Sequence, residues 1–160
     1  MPIQANVIAP DDVAAMVGKI EQRWGGVDIV VHNALMPFDV ASFTELSWEQ
    51  LGGKLERELR AAFMMTKAVV PGMVSRGYSR LVYLSTGLSR RPREGMITLG
   101  TAKAALDQFV RYVALELAPH GITANLVAVH GGRSHGDRAI HTRAPACARR
   151  VRADGTARSS

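Results

Sequence analysis

The segment Leu81–Leu117 joins a short apolar run to a long amphipathic pattern, and this order limits the folds that are open to the chain. The apolar run Leu81–Leu84 predicts a buried strand, and two hydroxyl residues, Ser85 and Thr86, follow at its end. After a polar, arginine-rich loop, the next predicted helix carries Lys103 in its first turn. A strand that presents a hydroxyl and a helix that presents a lysine are typical of α/β enzymes, which assemble sites at the edge of a sheet.

Similar patterns lie on both sides of this segment. The predicted strands, in chain order, are Gln4–Ile8, Val27–Val31, Leu81–Leu84 and Ile122–Val129. The first predicted helix covers residues 13–24, with Asp11 and Asp12 as N-cap and first-turn carboxylates and Gly25 at the C-cap. The second runs from residue 48 to about 73, with a Ser47–Gln50 capping box and Pro71 near its end. The third runs from residue 101 to about 118 and is stopped by His120 and Gly121. This alternation predicts an α/β fold, a parallel sheet with helices on its faces.

The charge of the chain is concentrated in its last part. Of the net charge of +6, residues 1–130 contribute little, with thirteen Lys or Arg against twelve Asp or Glu, whereas residues 131–160 hold seven arginines and two aspartates. Residues 131–160 show no apolar periodicity, so we predict a domain over 1–130 and an Arg-rich disordered tail over 131–160. The tail has no aromatic residue to stack on bases, which makes nucleic-acid binding an unfavoured interpretation. A shifted reading frame near Val129 would also produce such an abrupt change.

Composition excludes several other classes of protein. The single cysteine, Cys147, cannot form an internal disulfide, which favours a cytoplasmic protein. No apolar run approaches the roughly 20 residues of a membrane span, and no secretory signal is predicted at the N-terminus. The histidines at 130, 135 and 141 match no ligand spacing, so no metal site is predicted.

From about Asn6 to Gly131 the chain resembles the middle and later part of the short-chain dehydrogenase/reductase family, with some likeness to its enoyl- and 3-oxoacyl-acyl-carrier-protein reductase branches. Four tracts carry the resemblance: Asn6-Val7 for the family's Asp-Val, His32-Asn33-Ala34 for its Asn-Asn-Ala-Gly turn, Ser85-Thr86 for its Ser-Ser pair, and GTAKAAL around Lys103 for the start of its catalytic helix. Asn125 to Gly131 resembles the strand that leads into the family's Pro-Gly loop, with His130 in place of proline.

The resemblance implies an incomplete Rossmann-like parallel sheet that lacks the first two strands of the family fold. It implies hydride transfer with NADP or NAD on a carbonyl, hydroxyl or enoyl substrate, either a small molecule or a carrier-bound acyl group. The implied catalytic residues are Thr86, with Ser85 as the alternative hydroxyl, and Lys103. The implied cofactor-binding residues are Asn6, Val7, Asn33, Ala34, Lys103 and Gly131.

The chain departs from the family pattern where proton transfer and phosphate binding take place. Leu99 stands where the family's catalytic tyrosine is expected, and Met96 stands at the tyrosine position of the enoyl-reductase branch. Glu58 replaces an asparagine of the long helix, and the Gly-rich phosphate turn has no counterpart. We therefore predict impaired catalysis. The alternative is a non-catalytic pseudoenzyme or partner subunit, a homo-oligomer formed through the two long helices.

Overall fold

Three parallel strands form the sheet of the computed structural model, which describes residues 1–129. They are β1 (Ile29–His32), β2 (Ser79–Thr86) and β3 (Ile122–Val129), in the order β1-β2-β3. In this register His32 lies opposite Tyr83, which lies opposite Leu126. All three carboxyl ends therefore lie at one edge, and the predicted α/β class with a parallel sheet is confirmed.

Three helices precede and connect the strands: α1 (Pro10–Trp24), α2 (Trp48–Arg76) and α3 (Ile97–Leu117), with short 3-10 turns at Gly87–Ser89 and Ala118–His120. The capping box is confirmed, since the Ser47 hydroxyl accepts from the Gln50 amide and the Gln50 side chain accepts from the Ser47 amide. Gly25 ends α1 in the left-handed conformation, as predicted. Helix α2 continues past Pro71 to Arg76, and α3 begins four residues before the predicted start.

The predicted strand at Gln4–Ile8 is wrong, and so is the predicted capping role of Asp11. Residues 4–8 form no strand: among residues 1–129 the sheet has three strands, and the outer edge of β1 pairs with none of them. The amides of the segment are satisfied locally instead: the Asn6 amide donates to Asp12 Oδ2 at 2.9 Å, and the Ile8 amide donates to Asn6 Oδ1 at 3.2 Å. The N-cap of α1 is Ala9, and both aspartates lie in the first turn.

The core lies between the three helices and one face of the sheet. It contains Val13 and Val17 of α1, Ala62, Val69 and Met73 of α2, Leu106 and Val110 of α3, and Leu81, Tyr83 and Ile122 of the sheet. Alternate strand residues point the other way, where Ile29 and Val31 are 62% and 60% exposed. Within residues 1–129, the helices thus cover one face of the sheet. Parallel sheets are ordinarily covered on both faces.

The inward stripe of α2 begins with charged residues and becomes apolar further along. Its fully buried members are Lys54, Glu58, Ala61, Ala62, Thr66, Val69 and Met73. The prediction that Ala62, Thr66 and Val69 face inward is confirmed, and the fourth predicted member, Met65, is half-buried against the core. The charged start of the stripe lies near the carboxyl edge of the sheet. In residues 1–129, no helix has the length and apolar character needed to cross a membrane.

Candidate functional site

The polar residues predicted from sequence lie where β1 and β2 end. His32 is the last residue of β1, with Asn33 directly after it, and Ser85 and Thr86 are the last two residues of β2. Because parallel strands share the direction of their carboxyl ends, these residues lie along one edge of the sheet. Asn33 is exposed and Ala34 is half-buried.

Lys103 reaches this edge from α3 and is almost completely buried there. Its ammonium donates to the Leu84 carbonyl at 2.7 Å and lies 2.6 Å from Glu58 Oε1, and its side chain is only 6% exposed. An ammonium has three N–H donors, so one remains without an acceptor among residues 1–129. The structure therefore brings Lys103 to the end of β2, next to Ser85 and Thr86.

Glu58 joins Lys103 to a second buried lysine. The other Glu58 oxygen, Oε2, lies 2.5 Å from the Lys54 ammonium, and both side chains are inaccessible to solvent. Lys54 also donates to the Met36 carbonyl at 2.7 Å, with its ammonium 5.6 Å from the centre of the Phe38 ring. We call Lys54, Glu58 and Lys103 the buried charge cluster. It joins α2, α3, β2 and the loop after β1.

The two lysines determine the ionisation of Glu58. Burial alone would raise the pKa of this carboxyl, but hydrogen bonds and attraction from the two ammonium groups outweigh burial and hold its pKa below the ordinary value. Burial lowers the pKa of Lys54, partly offset by its bond to Glu58. Glu58 is thus ionised at neutral pH.

Ser85 and Thr86 point to opposite faces of the sheet and have different partners. Ser85 is buried on the helix side and donates to Asp107 of α3, whose other oxygen accepts from Ser89 at 2.8 Å. Thr86 is half-buried, and its hydroxyl oxygen accepts a long hydrogen bond from the Leu88 amide at 3.4 Å. The Thr86 hydroxyl hydrogen has no acceptor among the described residues, so Thr86 is the hydroxyl with bonding capacity to spare.

His32 is a buried histidine with one nitrogen unsatisfied. The residue is 4% exposed, its ring centre lies 5.9 Å from that of Tyr83, and its Nε2 has no hydrogen-bond partner among residues 1–129. Burial lowers the pKa of His32, and the positive charge of Lys103 lowers it further, with a smaller opposing effect of Glu58. His32 is therefore uncharged at neutral pH.

The remaining predicted residues lie apart from this group or outside the description. Asn6 and Val7 precede α1, where Arg60 of α2 holds the neighbouring Ile8 carbonyl at 3.0 Å. No hydrogen bond joins Asn6 or Val7 to the other predicted site residues that lie within residues 1–129. Gly131 and the predicted tail lie outside the described residues. The roles assigned to these residues stay predictions.

A cavity of about 690 Å³ opens beside the start of α3. Its lining includes Phe43 after β1, Ser89 and Pro92 of the loop after β2, and Thr101 and Ala104 of α3. None of the residues predicted to be catalytic or cofactor-binding lines this cavity. No group of three potential metal ligands occurs within residues 1–129.

Sequence reasoning missed two residues of the site, Lys54 and Asp107. Both lie four residues from a residue that was singled out, Lys54 before Glu58 and Asp107 after Lys103, and residues at that spacing share a helix face. The signal was therefore present in the sequence. Whether this spacing places a residue in the site depends on which face of each helix is buried.

Comparisons with known proteins indicate the family of this chain. Residues 1–149 match the family model described as enoyl-(acyl carrier protein) reductase, a match that extends past the predicted domain boundary at 130. Similar curated proteins include acetoacetyl-CoA reductase of Cupriavidus necator, 31% identical over 126 residues (78% of this chain, 50% of the relative). Another is the 3-oxoacyl-(acyl-carrier-protein) reductase FabG of Vibrio cholerae, 30% identical over 125 residues (77% of this chain, 50% of the relative).

Solved structures show the same fold. A short-chain dehydrogenase from Streptomyces avermitilis superposes with a TM-score of 0.71 at 28% identity, covering 79% of this chain and 46% of the other. NAD⁺-bound xylitol dehydrogenase, at 24% identity and a TM-score of 0.75, shares the fold over 79% of this chain and 48% of its own. The chain spans about half the length of the curated relatives it matches.

The substitution Glu58→Gln tests the buried charge cluster. It leaves two buried ammonium groups without a carboxylate, so we expect a loss of about 3–5 kcal/mol in the free energy of unfolding, measured by urea denaturation. Glu56→Gln is the matched control, because Glu56 is 64% exposed in its pair with Arg60 and its loss should change little. Equal stability of the two variants would contradict the structural role of the cluster.

The pH dependence of stability tests the state of His32. Because the pKa of His32 is lowered in the folded state, protonation favours the unfolded chain, so stability is full above the ordinary value of 6.5 and falls as pH drops below it. The slope attributable to His32 reaches at most about 1.4 kcal/mol per pH unit. In His32→Asn this loss should be absent from urea midpoints measured on either side of that pH. His120→Asn, at an exposed histidine, serves as control and should retain the parent's slope.

Proposed function

Because the chain belongs to the short-chain dehydrogenase/reductase family, we propose that it binds NAD or NADP at the carboxyl edge of its sheet and has little hydride-transfer activity of its own. The observation that carries this proposal is the position of Lys103, held against the Leu84 carbonyl near the end of β2 with one N–H to spare. When bound, a nicotinamide cofactor would supply or accept the hydride. The residues of this chain would hold the cofactor and orient a substrate.

The residues present fit the sugar next to the nicotinamide better than they fit the phosphates. The remaining N–H of Lys103 suits a ribose hydroxyl, and Asn33 lies exposed at the same edge. The sequence contains no G-x-G-x-x-G turn, the arrangement that presents backbone amides to a pyrophosphate.

Proton transfer is the step that this chain supports least. Thr86 can donate a hydrogen bond to a substrate oxygen, whereas the Ser85 hydroxyl is bound to Asp107. Neither Leu99 nor Met96 can give or take a proton, and the absence of a general acid typically slows a reaction by about 10²–10⁴. Impaired catalysis in an otherwise recognisable site follows from this.

The names of the relatives suggest the substrate class. Acetoacetyl-CoA reductase and 3-oxoacyl-(acyl-carrier-protein) reductase are named for acyl groups carried by coenzyme A or by an acyl-carrier protein. We extend that class to this chain, as a small-molecule or carrier-bound acyl substrate, and place the protein in the cytoplasm.

Calorimetric titration of NADPH and NADH into the folded protein tests the proposal. We expect micromolar binding of one of them and a loss of at least about tenfold in Lys103→Met, because the substitution removes the charge and the free N–H. Lys67→Met, at an exposed lysine of α2, is the control and should bind like the parent. Absence of heat with both cofactors, or equal binding by Lys103→Met, would contradict the proposal.

A second candidate function is that of a non-catalytic subunit that pairs with another copy of itself. The outer faces of α2 and α3 form an open groove of about 530 Å³ whose apolar lining includes Leu59, Phe63, Met64 and Phe109. Phe63 is 47% exposed, and Tyr112 and Leu115 extend the apolar surface along α3, at 57% and 72% exposed. A second copy would cover this surface through the same helices, related by a two-fold axis.

Light scattering coupled to size exclusion tests this pairing. We expect a dimer for the parent and a monomer for Phe63→Glu, because the substitution places a charge in an apolar interface. Tyr78→Glu changes a similarly exposed aromatic residue on the turn between α2 and β2, and it should remain a dimer. A monomeric parent would remove this candidate.

A further inference from the structure

Lys54 is among the most buried of the described residues, and the proposed function gives it no contact with the cofactor. Its ammonium contacts Glu58, the Met36 carbonyl and the Phe38 ring. Burial of an ammonium is costly unless it is paired and hydrogen-bonded. A buried lysine that touches no ligand therefore calls for an explanation in terms of its partner, Glu58.

The charges of the cluster supply that explanation. Glu58 and Lys103 alone would form a neutral pair, and the carboxylate 2.6 Å from the Lys103 ammonium would cancel most of its field. The second lysine restores a net charge of +1. Lys54 and Glu58 together are neutral, so Lys103 acts on its surroundings as a single positive charge.

We propose that Lys54 offsets the charge of Glu58, so that Lys103 presents a net positive field and a free N–H to a ligand at the sheet edge. Lys54 is thus a positioning residue that acts through Glu58 and Lys103, an inference that rests on the proposed cofactor site for its purpose but not for its electrostatics. Its bond to Met36 also ties the loop after β1 to the cluster.

The field at Lys103 can be measured without any cofactor by placing a titrating group beside it. Leu99 lies one helical turn before Lys103 and is half-buried, so Leu99→Tyr puts a phenol next to the cluster. A nearby positive charge lowers the pKa of an acid by about 1–3 units, and a free phenol titrates near 10. NMR of the tyrosine ring carbons reports this pKa.

Three variants, each carrying Leu99→Tyr, isolate the contribution of Lys54 to the phenol pKa. With the cluster intact, we expect the phenol pKa of Leu99→Tyr to be lowered by about one unit or more. Adding Lys54→Met makes the cluster neutral and should return the pKa to about 10 or above. Adding Glu58→Gln to that variant leaves Lys103 as a lone cation and should lower the pKa again. That recovery is what a merely structural role of Lys54 would not produce.

Three neighbouring groups bear on this titration. His32, whose pKa is lowered, stays uncharged in the alkaline range. Asp107 is bonded to Ser85 and Ser89, and none of these residues is changed in the variants. Burial lowers the pKa of Lys54, so its contribution is compared at pH values where the Lys54 ammonium still carries its charge. Lys67→Met changes an exposed lysine of α2, the helix that carries Lys54, and should leave the phenol pKa unchanged.

A phenol pKa that is the same with and without Lys54, or that is not lowered in any background, would overturn the inference. The same variants without Leu99→Tyr should repeat the pattern in NADPH titrations, with weaker binding for Lys54→Met and recovery in Lys54→Met/Glu58→Gln. If the phenol follows the prediction while no variant binds cofactor, the charge role of Lys54 stands and the proposed cofactor site fails. The two ideas are therefore tested separately.

Discussion

The pairing of one buried carboxylate with two buried ammonium groups is the constraint on which the site depends. Removal of charges from water costs several kcal/mol per ion, and only close geometry with further hydrogen bonds offsets this cost. Glu58 provides that geometry, with contacts of 2.6 Å to Lys103 and 2.5 Å to Lys54. The carbonyl groups of Leu84 and Met36 accept the next hydrogen bonds. The position of Lys103 at the sheet edge is thus a consequence of packing between α2 and α3.

The same constraint relates two departures from the family pattern that look independent in the sequence. A carboxylate at Glu58 would weaken the field of the neighbouring lysine, and Leu99 leaves that lysine with no phenol to activate. We infer that Lys54 offsets the charge of Glu58, but Lys54 does not replace the phenol that is missing at Leu99. Under the proposed function, these residues would hold a cofactor but would supply no general acid at position 99. Within residues 1–129 the helices cover one face of the sheet, and the chain spans about half the length of the relatives it matches.

Much of the fold could be predicted because strand and helix periodicity is local. Ile122–Val129 was predicted with its observed bounds, and the capping box and Gly25 follow from chemistry within one turn. The strand at Gln4–Ile8 failed because a strand needs a neighbour, which no local pattern reveals. The preference for Thr86 over Ser85 as the available hydroxyl depends on Asp107, which is 22 residues from Ser85 in the sequence. Lys54 could have been found, since it precedes Glu58, Ala62 and Thr66 on one stripe of α2.

The measurement that tests the account most directly is NMR of the lysine side-chain ammonium groups during titration with NADPH. Because the Lys103 ammonium is buried and hydrogen-bonded, its signal should be separable from those of exposed lysines such as Lys67. We predict that NADPH shifts the Lys103 signal, with a smaller change at Lys54 and none at Lys67. A Lys103 signal that does not move at saturating cofactor would show that the ligand does not reach the lysine, and it would contradict a cofactor site at this edge of the sheet.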